Sequence, residues 1–142
     1  MQELYELRAY IERGKYPEAL LLLGEMEEMS REDKINKVYS FLDILLLHLI
    51  KQQAEKRTTR SWDFSIRQAV RQINRTNKRQ HAGGYYLSRP DLIGAIDGAY
   101  EEALDHAALE AFEGRYDPPE LGKMVDADRV KAEALKLILP LP

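Results

Sequence analysis

The chain has 142 residues, 44% of them hydrophobic and 32% charged, with no cysteine and a formal net charge of −3. That length and balance fit one globular domain, 1–142, burying roughly two thirds of the surface its unfolded chain exposes. The lack of thiols excludes disulfides, Cys-ligated zinc and iron–sulfur clusters. The longest apolar run, Phe41–Ile50, is interrupted by Asp43 and His48 and falls well short of the about 20 residues a membrane-spanning helix needs.

Strand-like alternation is absent, and apolar residues recur at intervals of three and four, which predicts an all-α bundle of five or six helices. Leu4, Leu7 and Ile11 mark a first short helix that stops at Gly14, a residue suited to a left-handed terminus. Pro17 opens a second, running through Leu20–Leu23 to Met29. Ser30 followed by Asp33 resembles a capping box and predicts the start of a third helix over 31–56. Ile35, Val38, Leu42, Leu45 and Leu49 line one side of it, and Phe41, Ile44 and Leu47 a second, so this helix belongs at the centre.

Ser61 or Asp63 is the expected cap of a fourth helix reaching Lys78, buried along Trp62, Ile66, Ala69, Val70 and Ile73. Trp62 is expected to be largely buried against the central helix. His81-Ala82-Gly83-Gly84 reads as a loop. Ser88-Arg89-Pro90-Asp91 combines a cap, a first-turn proline and an early acid, and opens a fifth helix reaching Phe112. Its alanines 95, 99, 103, 107 and 111 form a small-residue row that lets a neighbouring backbone come close. Gly114 and Asp117-Pro118-Pro119 end it. A last helix, 126–138, precedes Pro140.

Charge is sorted along this frame. Residues 1–33 carry nine acids and four bases, residues 34–90 twelve bases and three acids, residues 91–142 twelve acids and five bases. A basic centre between acidic ends pairs within the chain, pairs with another copy, or meets an anion. Arg67, Arg71 and Arg75, spaced by four, make one ridge beside the apolar stripe of the fourth helix. Such a ridge binds phosphates through charge without reading sequence, or serves the acidic helices as their partner.

Catalytic signals are weaker. His48 sits mid-helix among apolar residues, and His81 and His106 lie on other elements, with no pair at ligand spacing; a core or groove histidine hydrogen-bonded to a neighbour is the expected role of His48. Glu25 with Glu28, and Glu102 with Asp105, are carboxylate pairs of the kind that hold Mg²⁺ in all-helical nucleotide pyrophosphohydrolases. The same spacing is common on any solvated helix, and the two pairs lie far apart in sequence. No bound metal or cofactor is expected.

His48-Leu49-Ile50-Lys51, followed by Arg60-Ser61-Trp62, Ser65-Ile66 and Ala99-Tyr100 with Ala103, resembles a bacterial family known as a domain of unknown function, the twenty-ninth of that series. In it a His-Leu-Leu-Lys stretch ends a long apolar helix and an Arg-Ser-Trp turn opens the next. The resemblance runs from Tyr5 through the terminal prolines. It implies an all-helical fold and singles out His48, Lys51, Arg60 and Trp62, but implies no activity. The chain departs from the pattern at Gln52, where the family often has tryptophan, and at Gly24-Glu25, where it has two acids.

The resulting expectation is a small cytoplasmic interaction or regulatory protein, self-associating and without catalysis. Its acidic start, Met1-Gln2-Glu3-Leu4-Tyr5-Glu6, has no basic-then-apolar signal. Nucleic-acid or phosphate binding through residues 51–79 is the alternative, and a metal-dependent phosphohydrolase the third reading.

Overall fold

The computed structural model describes residues 2–79 and 83–138; His81 and Pro140 lie outside them. Six α-helices follow in order: α1 (Gln2–Glu12), α2 (Tyr16–Glu55), α3 (Arg60–Asn77), α4 (Arg89–Glu110), α5 (Pro118–Gly122) and α6 (Ala127–Ile138), with a 3₁₀ turn at Ala111–Gly114. The described residues contain no strand, only an isolated bridge between Lys78 and Tyr85. The all-α class is as the periodicity indicates.

Three boundaries differ from the sequence reading. The expected second and third helices are one: α2 runs 40 residues without a break. Ser30 sits inside it, because nothing between Pro17 and Glu55 prevents the next helical hydrogen bond, and a Ser-x-x-Asp pattern is no terminus without a preceding breaker. Thr59, not Ser61 or Asp63, caps α3: its side chain accepts the Trp62 N–H at 3.1 Å. Asp117-Pro118-Pro119 not only ends what precedes it but starts α5, with a reciprocal capping box between Asp117 and Glu120. The cap at Ser88 and Asp91 is as read.

The chain divides into two compact units, Met1–Lys34 and Ile35–Pro142. In the first, Gly14 turns the chain after α1 with φ of +71°, and the Lys15 N–H reaches the Tyr10 carbonyl at 2.8 Å. Ala19 is the only buried residue described there.

The second unit holds the core. Val38, Leu42, Leu45, Leu46, Leu49 and Ile50 of α2 are buried together with Ala69 and Ile73 of α3, Leu121 of α5 and Val130, Ala134 and Ile138 of α6. Ala95, Ala99, Ala103, Ala107 and Ala111 are all buried. Ile44 is 37% exposed, so the outer side of this segment meets solvent. Side-chain links from Asp43 to His106, Lys51 to Glu110 and Glu55 to Phe112 advance together, so this half of α2 and α4 run parallel. Asn77, buried at the end of α3, accepts the Leu87 N–H at 2.7 Å and donates to its carbonyl, fixing the approach to α4. Among the described residues, no helix is long and apolar enough to cross a membrane.

Candidate functional site

The end of α2, the start of α3 and the end of α4 meet around one cation. Lys51 follows the buried run Leu45–Ile50 and is itself buried. Its Nζ donates to Glu110 Oε1 at 2.8 Å and lies 4.5 Å from the centre of the Trp62 ring. The Arg57 guanidinium lies 4.8 Å from the same ring centre. A positive charge over an indole face is attracted by the ring quadrupole, so both cations hold Trp62 in place. Trp62 is half-buried rather than enclosed. Its indole N–H has no acceptor among the described residues, and the cations take the anchoring role expected of one.

Glu55 links this junction to the turn after α4. Its carboxylate accepts Arg57 Nε at 3.0 Å and the Phe112 N–H at 3.3 Å. The turn is unusual in backbone: Phe112 and Glu113 have φ of 52° and 58°, followed by Gly114 at 78°. Non-glycine residues rarely take that left-handed conformation, and Glu55 holds the first of them. Across the α2–α3 connection, Thr58 Oγ1 donates to Asp63 Oδ1 at 2.7 Å, and Gln52 Nε2 donates to Thr58 Oγ1 at 2.8 Å. Gln52, the departure from the family's tryptophan, thereby braces the turn.

This junction balances its charges: Lys51 and Arg57 against Glu110 and Glu55. Each of these two cations has a carboxylate partner. Chemically it is a brace. His48, one turn before Lys51, is held below the ordinary histidine pKa by burial and then by the Lys51 charge. Its Nδ1 is buried with no hydrogen-bond partner among the described residues, so the expected neighbour bond is not made there.

His106 is the counterexample. Its Nδ1 lies 2.7 Å from Asp43 Oδ2. That hydrogen bond, then the Asp43 charge, raise its pKa, with Glu102 and Asp105 adding to the effect. The sign of each contribution follows. A raised pKa means the Asp43–His106 link stabilises fully below the unfolded value of about 6.5 and is lost as pH rises through the folded value. A lowered pKa makes His48 unfavourable to the fold as pH falls below about 6.5. Nuclear magnetic resonance titration should therefore place His106 above a free histidine and His48 below it, with Asp43→Asn returning His106 toward the free value. An unshifted His106 in the parent protein would remove the link.

Arg67, Arg71 and Arg75 stand apart from the junction, all exposed on α3. Their side chains have no hydrogen bond, ion pair or ring contact among the described residues. Phe64, one turn before Arg67, is 55% exposed. Arg60, the first residue of α3, is exposed and likewise outside the brace. Thus the structure joins Lys51 and Trp62, sets His48 beside them, and puts the arginines on another face.

The carboxylate pairs are each solvent-exposed, Glu25 and Glu28 in the first unit, Glu102 and Asp105 in the second. No group of three or more His, Cys, Asp or Glu side chains able to hold a metal ion occurs among the described residues. An open groove of about 360 Å³ is lined by Leu49, Gln52, Gln53, Lys56, Arg129 and Glu133. Glu110, Glu55 and Asp43 were not legible as partners. Apart from the short-range Glu55–Arg57 contact, they lie 57 to 63 residues from the groups they meet, Lys51, His106 and Phe112, and no local pattern signals such a pairing.

The sequence profile of a family described as "Domain of unknown function DUF29" matches residues 18–118, a narrower span than Tyr5 to the terminal prolines. No curated protein matches the chain, and no solved structure does.

Proposed function

The chain belongs to the DUF29 family, whose description assigns no activity, and from that premise we propose that it is a helical interaction protein that associates with further copies of itself rather than an enzyme. The observation that carries this reading is the surface of the first unit. Leu4, Tyr5, Ile11, Tyr16, Leu20, Leu21, Leu23 and Met29 are all exposed there, while among its described residues Ala19 alone is buried. Scattered apolar residues on a surface need no explanation, but eight within 29 residues are a dense supply of unburied area, the mark of an association surface. A second copy is the partner that the charges support: the same region is acidic, and α3 offers arginines with no partner among the described residues.

The test is sedimentation over a range of concentration. The parent should exceed its monomer mass of 16.4 kDa, and a chain carrying Ile11→Glu and Leu20→Glu should fall toward it with unchanged helical circular dichroism. A parent that stays monomeric throughout the micromolar range sinks the reading. Arg67, Arg71 and Arg75 beside exposed Phe64 also favour a second reading, a single-stranded nucleic acid with phosphates on the arginines and a base on the ring. Gel shift at low and high salt addresses it.

A further inference from the structure

We infer that α3 of one copy docks in parallel on α2 of a second copy, with Phe64, Arg67, Arg71 and Arg75 facing Leu21, Glu25, Glu28 and Glu32. This rests on the self-association just proposed and names the surfaces that carry it.

The two stripes match in length and order and are opposite in sign. On α2, positions 21, 25, 28 and 32 advance by helical steps of four, three and four. On α3, positions 64, 67, 71 and 75 advance by three, four and four. Residues so spaced share one face of a helix. Each stripe spans twelve residues, eleven helical steps, or about 16 Å at the helical rise. Each begins with an exposed apolar residue, Leu21 at 73% and Phe64 at 55%, and continues with three exposed charges. Glu25, Glu28 and Glu32 have no ion-pair partner among the described residues, and neither do the three arginines.

The order selects the direction. Parallel helices put Leu21 against Phe64 and then three carboxylates against three guanidiniums. Antiparallel helices would set Leu21 against Arg75 and Glu32 against Phe64, losing the apolar contact and one of the three charge pairs. Complementary charge of this kind fixes register and excludes wrong partners more than it adds affinity. Each chain carries both stripes, so a pair of copies has two such contacts available.

Two full-length charge variants test it. One carries Arg67→Glu, Arg71→Glu and Arg75→Glu, and the other Glu25→Arg, Glu28→Arg and Glu32→Arg. Each alone sets like charges against like, and self-association should weaken at least tenfold. Mixed, the two chains are complementary at both contacts, and a mixed pair should form with affinity near that of the parent. Because the chain has no cysteine, Leu21→Cys in one chain and Phe64→Cys in another give a check independent of the reversals. Their mixture should cross-link to twice the chain mass on mild oxidation, several-fold more than Leu21→Cys mixed with Arg75→Cys.

A parent that never exceeds monomer mass defeats the self-association reading and this inference with it. A parent that associates while both variants associate equally well overturns the inference alone. So does a mixture that stays monomeric while the cross-link fails. A parent whose arginine stripe binds single-stranded RNA, with its mass and that of the charge variants unchanged, assigns the stripe to nucleic acid instead.

Discussion

Replacing Glu110 by alanine is expected to lower the unfolding free energy by about 2–4 kcal/mol, the range for stranding a buried charge, reduced because the Trp62 ring still faces it. The two partners of this ion pair are unequally placed. The Lys51 side chain is 6% exposed and the Glu110 side chain 50%. Removing Glu110 leaves an ammonium in the interior; removing Lys51 leaves a carboxylate that water already reaches. Lys51→Met keeps an unbranched chain against the indole and introduces no buried charge, so its expected cost is under about 1 kcal/mol. Urea unfolding of both variants at neutral pH measures the difference. Equal losses would show that Lys51 contributes as a charge rather than as a buried stem held by its partner.

Trp62→Ala is the second large effect, expected at about 2–4 kcal/mol: the ring is only half-buried, which lowers the loss from the 3–5 kcal/mol of an enclosed aromatic, but two cations lose their π-face with it. Trp62→Phe should recover part of that loss, because a smaller ring keeps the apolar contact and a weaker quadrupole. Unfolding followed by circular dichroism, since Trp62 is the sole tryptophan, gives the comparison. If alanine and phenylalanine cost the same, the cation contacts at 4.5 and 4.8 Å contribute nothing measurable.

What the sequence revealed was what local chemistry decides. Ser88, Pro90 and Asp91 specify a helix start within four residues, and α4 begins where they place it. The alanine row is a one-helix pattern and is buried as read. The failures came where one local pattern has two meanings. Ser30 and Asp33 carry the side chains of a cap but stand inside α2, and Asp117-Pro118-Pro119 serves equally to stop a helix and to begin one. The candidate site divides the same way. Lys51 and Trp62 lie eleven residues apart across one turn, so the sequence brought them together. Glu110 stood in an acidic stretch that reads as a solvated face, and only packing of α4 beside α2 gives it a buried lysine. The same holds for Asp43, which looks like an interruption in an apolar run until His106 is opposite it.

A unit whose described residues bury a single alanine has little to protect its backbone hydrogen bonds from solvent. Segments with few buried apolar contacts open locally at small free-energy cost, long before the whole chain unfolds. The α1 region and the start of α2 therefore belong to the low-stability end of the molecule when a chain is alone. Docking would then have two parts, contact and ordering, and the second subtracts from the affinity that the contact supplies. An association built this way is readily reversed and responds to small changes in concentration or salt, which suits a regulatory partner better than a permanent assembly.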